Sequence, residues 1–81
     1  MSAEKVLLAR LINYVDDHCE HEVVGPYKAR VEKKCKAKMS LARRKLGEGN
    51  YKAALDHSVR ALQLIAWTWG NAGVGSVESY D

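Results

Sequence analysis

Between residues 41 and 65 the chain reads LARRKLGEGNYKAALDHSVRALQLI, two helix-period patterns separated by Gly47-Glu48-Gly49-Asn50. No other feature limits the fold as much. Glycine supplies the left-handed residue that stops a helix, and asparagine caps the one that follows, so this short stop joins two antiparallel helices. Such a hairpin keeps one apolar stripe uncovered, and another part of the chain or a partner must close it.

The N-terminal segment is built to do so. Ser2 can cap a helix and Glu4 suits its positive end, after which Leu8, Leu11, Ile12, Val15 and Cys19 recur at three- and four-residue steps. Leu7 and Tyr14, one heptad apart, are expected to widen that face. Asp16, Asp17, Glu20 and Glu22 crowd the negative end of the helix dipole, so fraying is expected after about His18 to Glu20. Val23-Val24-Gly25-Pro26 breaks the pattern, and Pro26 is expected to open a second helix lined by Tyr27, Val31, Cys35, Met39, Ala42 and Leu46. Asn50 caps a third helix, whose stripe is Tyr51, Ala54, Leu55, Ser58, Ala61, Leu62, Ile65 and Trp69. Asp56, Arg60 and Gln63 lie opposite, and Trp67 continues that polar side. The prediction is an all-α, three-helix bundle over residues 1–69, its second and third helices forming an antiparallel repeat-like hairpin. A flexible, Gly-rich, acidic tail is expected over 70–81. The competing arrangement swaps the first helix onto a second chain.

Eighty-one residues suffice for one domain with a small core, and an apolar fraction of 47% is ordinary for a globular chain. No apolar run approaches the roughly 18 residues that cross a bilayer, so no membrane association is expected. MSAEKVLLARL carries an acid beside its lysine and does not read as a secretory signal. Two cysteines are too few for a disulfide framework, which makes a cytoplasmic location the expectation. The net charge of +3 is unevenly spread: residues 26–47 hold nine Lys/Arg against Glu32, a net +8, and the remainder carries four basic and nine acidic groups, a net −5. Part of the basic block is expected to be balanced by the acids of the first helix.

Several side chains invite a functional reading. The cations of the second helix, among them Lys33, Lys34, Lys38, Arg43 and Arg44, could meet phosphates or an acidic protein groove. That helix has no Asn or Gln to read bases, and its aromatic, Tyr27, lies on the apolar side, so nucleic-acid binding ranks second to a protein partner. Arg60 and the indoles Trp67 and Trp69 complete the expected partner-binding set, because aromatics and arginines dominate interface energetics; the alternative is a helix that frays after Ile65, with both indoles folded back onto the core. His18, Cys19 and His21 stand among acids but do not share one helix face, and no paired metal-ligand element is present, so no metal is expected. Cys19 and Cys35 both fall on apolar stripes and read as small core hydrophobes; Cys35, with lysines at 33, 34, 36 and 38, is the better redox candidate of the two. With no nucleophile motif and no phosphate loop placed between a strand and a helix, neither a catalytic residue nor a cofactor is expected.

Leu41, Ala42, the Gly49-Asn50-Tyr51 turn, Ala54, Ala61 and Leu62 together give residues 38–66 a pattern that resembles a tetratricopeptide-repeat hairpin, and equally the turn of microtubule-interacting-and-trafficking bundles. The resemblance implies close helix approach at Ala42, Ala54 and Ala61 with Tyr51 wedged beside them. It covers a single unit, where repeat arrays need about three, and the chain departs from the pattern at Lys38, Lys45, Ser58 and Ala66. Taken together, these features predict a non-enzymatic interaction module: an adaptor or stoichiometric modulator, an inhibitor included, of a larger protein. It is expected to dock through apolar residues left uncovered on its first and third helices, and to self-associate as a homodimer.

Overall fold

The computed structural model describes residues 2–23, 25 and 27–71, apart from the side chains of 70 and 71. Among them all regular structure is helical: α1 spans Ala3–His21, α2 Lys28–Gly47 and α3 Tyr51–Asn71. The protein is an all-α three-helix bundle in which α2 and α3 share the most extensive contact. No described helix is long and apolar enough to cross a membrane. The tail expected from residue 70 lies outside the described residues beyond Asn71, as does Pro26; α2 begins at Lys28 behind Tyr27.

Local chemistry sets the ends of the helices. The Ser2 hydroxyl accepts from the Lys5 amide at 3.1 Å and caps α1. Gly49, at φ +82°, turns the chain out of α2, and the Gly49 and Asn50 amides return to the Leu46 and Lys45 carbonyls at 3.0 and 2.9 Å. Asn50 then caps α3 through Ala53 N–H at 3.2 Å.

The core is one cluster. α2 buries Val31, Cys35, Met39 and Ala42, and α1 buries Ile12, Val15 and Cys19, all from the expected stripes. Small residues carry the hairpin seam: Ala42, Ala54, Ser58 and Ala61 are fully buried, which lets the backbones of α2 and α3 approach closely. Ser58 and Thr68 enter the core because their hydroxyls donate back to the Ala54 and Ile65 carbonyls, at 2.9 and 2.7 Å.

α1 ends at His21, next to the stretch where fraying is expected. Its acid-rich end is held from outside by the Lys36 ammonium, which bridges Asp16 and Glu20 at 2.7 and 2.6 Å; within the helix, Asp17 faces His21 at 3.6 Å. The stripe of α3 is rotated from the expected one. Leu55 is exposed, whereas Leu64 is buried. Leu7 and Tyr14, expected to widen the core face of α1, remain 64% and 59% exposed.

Candidate interaction surfaces

Contacts at both ends fix how α1 and α3 run. At one end the Ser2 and Tyr51 hydroxyls lie 3.3 Å apart, an offset of 49 residues. At the other, the Trp69 indole N–H donates to the Glu22 carbonyl at 2.6 Å, an offset of 47. The two helices are therefore parallel and nearly in register, and α2 runs antiparallel to both. Between those offsets, Leu7 stands level with Leu55, Leu11 with Val59 and Tyr14 with Leu62.

These residues also flank a common seam. Asn13, Asp16 and Glu20 turn one side of α1 to α2, so Leu7, Leu11 and Tyr14, on its other side, border α3. On α3, Leu55, Leu62 and Trp69 share a heptad line, and Trp69 reaches the end of α1. The result is a three-rung apolar ladder. Leu7, Tyr14, Leu55 and Val59 are exposed, and Leu11 and Leu62 are half-buried against the core. A shallow open depression of about 570 Å³, lined by Asn50, Lys52, Ala53, Leu55, Asp56 and Val59, adjoins its α3 edge.

The cations of α2 occupy the other side of the bundle and divide into groups. Arg43 turns to α1, donating to Asn13 Oδ1 at 3.0 Å and Asp16 Oδ2 at 2.7 Å. Arg44 and Lys45 reach Glu48 at 3.7 and 3.3 Å. Lys33 is exposed, while Lys34 and Lys38 are half-buried. Arg60 is on α3, paired with Asp56 at 2.9 Å. Burial alone would raise the Asp16 carboxyl, but hydrogen bonds from Lys36 and Arg43 outweigh it and hold the group below its ordinary value. Hydrogen bonds to Asp16 and then Glu20 push Lys36 above the usual lysine range. The basic block is thus partly neutralised by α1.

The expected partner-binding set does not form one surface. Trp67, expected on a polar face, is buried at 6% exposure, its ring 5.9 Å from that of Tyr27. Val23 and Tyr27, on the connector before α2, pack into the core at this end, so a side of α3 that is polar in mid-helix becomes interior near its C-terminus. Trp69, expected in the stripe, is 56% exposed and clamps α1 through its N–H. His18 stacks on Tyr14 with ring centroids 4.2 Å apart, and its Nδ1 lies 3.1 Å from the Tyr14 carbonyl oxygen. Cys19 points away into the core. Ala42, Ala54 and Ala61 sit at the hairpin seam, and Tyr51 is half-buried toward Ser2. Comparison of this chain with family models, with curated proteins and with solved structures finds no match.

The ladder was only partly readable beforehand. Helical spacing alone places Leu7, Tyr14 and Leu55 on core faces and Val59 on none. The available signal was the pair of heptad lines, Leu7–Tyr14 and Leu55–Leu62–Trp69. It becomes a surface only once the offset between two helices distant in sequence is known.

Proposed function

We propose that this protein is a non-enzymatic interaction module, an adaptor or stoichiometric modulator of a larger protein. It docks an amphipathic helix of that partner on the α1–α3 ladder. The supporting observation is the ladder itself: level apolar side chains on two parallel helices, with Leu7, Tyr14, Leu55 and Val59 left exposed. The spacing of its rungs along each helix, four and then three residues, matches the i, i+4, i+7 anchors of a helix lying in a groove. Lys52 and the Asp56–Arg60 pair border it, giving a nearly neutral rim. The α2 cations lie across the bundle and contribute to approach rate and salt dependence rather than to the contact.

The test combines capture, reconstitution and light scattering. A protein retained from nuclease-treated extract is identified by mass spectrometry and rebuilt with the purified chain. The double variant Leu55→Lys, Val59→Lys is expected to lose that binding with its helical content unchanged. Retained binding in the double variant, or capture abolished by nuclease, overturns the reading and in the second case favours nucleic-acid contact through α2. A wild-type dimer that the double variant converts to monomer assigns the ladder to a second copy instead.

A further inference from the structure

We propose that Cys19 and Cys35 are the two halves of a reversible disulfide that staples α1 to the α2–α3 hairpin. The proposal is independent of what occupies the ladder. Its basis is register. Lys36 bridges Asp16 and Glu20, one turn apart on α1, and Arg43 reaches back to Asn13 and Asp16. In an antiparallel pair this places position 36 opposite the turn 16–20. Cys35 and Cys19, the inward neighbours of those polar groups, therefore face each other across the α1–α2 seam. Both are free, both have zero exposure, and both belong to the one core cluster. The Cys35 thiol also donates to the Ala61 carbonyl at 3.5 Å, so the pair sits where all three helices meet.

The surroundings distinguish the two sulfurs. Hydrogen bonding to Cys35, with burial second, raises Cys19 and keeps its proton on. The same contact lowers Cys35 against the opposing effect of burial, and Lys38 and Lys36 add to the lowering. The nearby lysines favour ionisation of Cys35 once α1 opens, which makes it the attacking sulfur and Cys19 the resolving one. With a peroxide as oxidant, the Cys35 sulfur forms an S–O bond as the O–O bond breaks, leaving a sulfenic acid and a hydroxide that takes up a proton as water. The Cys19 sulfur then attacks the Cys35 sulfur; the S–S bond forms, the S–O bond breaks, and the departing oxygen leaves as water with the Cys19 proton. Two thiols lose two electrons to one peroxide, and a dithiol reductant reverses the result.

Core burial makes access the rate-limiting feature. Cys19 lies in the last turn of α1, so the pair is covered while that helix end is docked, and the docking contacts beside it are partly exposed ion pairs. Opening of α1 admits the oxidant, and closing presents one sulfur to the other.

The experiment uses the full chain. Reduced protein is treated with hydrogen peroxide, unfolded, alkylated with N-ethylmaleimide and weighed. The expected product is a monomer lacking two hydrogens, with neither cysteine alkylated, restored by dithiothreitol, and showing an upward shift in Tm against the reduced form. Arg43→Gln, which weakens α1 docking through the loss of its pair with Asp16, is expected to speed disulfide formation several-fold. Two thiols that remain fully alkylatable overturn the proposal, as do overoxidised single cysteines or disulfides formed only between chains. An Arg43→Gln variant oxidised no faster overturns the access route.

Discussion

The α2–α3 hairpin and the α1 helix are held to the same core by different means. Between α2 and α3 the contact is close and buries Ala42, Ala54, Ser58 and Ala61, with Trp67 on Tyr27 at its far end. α1 adds Ile12, Val15 and Cys19 to the core, but its margin with α2 is polar, with Lys36 and Arg43 on Asp16 and Glu20, and its ends are held by single hydrogen bonds at Ser2 and Glu22. Close packing is insensitive to salt and pH, whereas exposed charge pairs depend on both. The hairpin is therefore the rigid element, and α1 is the one conditions can loosen.

The largest effect is expected at the far end of the hairpin. Trp67→Ala removes a buried indole and leaves a cavity beside Tyr27, a change that costs about 3–5 kcal/mol. Chemical denaturation of the two proteins measures it. A loss below about 1 kcal/mol, the scale of an ordinary surface change, would mean that the hairpin does not depend on that contact. Acrylamide quenching offers a second reading, since wild-type protein should show one protected and one accessible indole.

Asp16→Asn tests the polar side of the comparison. The variant loses the pairs to Lys36 and Arg43, with an expected cost of about 1 kcal/mol at low ionic strength, because the partners are partly exposed and screened. At about 1 M salt, where screening is nearly complete, the difference should vanish. Hydrogen exchange should quicken in α1 and not at the α2–α3 seam. The pH dependence follows from the two shifted groups. Asp16 is depressed in the fold, so its contribution is full above the unfolded carboxyl value near 3.9 and is lost as pH falls through the folded value. Lys36 is raised, so its contribution is full below the unfolded lysine value near 10.4 and is lost as pH rises through the folded value. Wild-type stability should decline at both extremes, and Asp16→Asn should flatten the acid limb. An unchanged acid limb would show that α1 docks without its charges.

What could be read in advance divides along the same line. The stripe of α2, Val31 through Ala42, and the Gly49–Asn50 stop were legible because they depend on residues a few positions apart. The ion pairs that hold the end of α1 were not, since the cation that offsets its terminal acids arrives from another helix. The exchanged roles of Trp67 and Trp69 have a similar origin: helical spacing locates a side chain around its own axis, but the connector near Val23 decides which side of α3 is covered at that level. Of the ladder, the uncovered apolar residues on the first and third helices were anticipated as a class, and their alignment was not. Even the facing cysteines each looked solitary until the α1–α2 register was known.

The smallest effect sharpens the comparison most, because it touches α1 at a single bond. Trp69→Phe keeps an aromatic ring but removes the N–H that donates to the Glu22 carbonyl. Glu22 caps α1, and its own amide returns to His18 at 2.8 Å, so that carbonyl is the last fixed point before the connector. An exposed hydrogen bond of this kind contributes about 0.5 kcal/mol net, and global denaturation should register little more. Local behaviour should change more clearly. Amides in the last turn of α1 should exchange faster, while those around Trp67 and the Ala54–Ala61 seam keep their protection. Equal loosening at both places would mean that α1 and the hairpin open as one cooperative unit, and the distinction between packed and latched regions would fail.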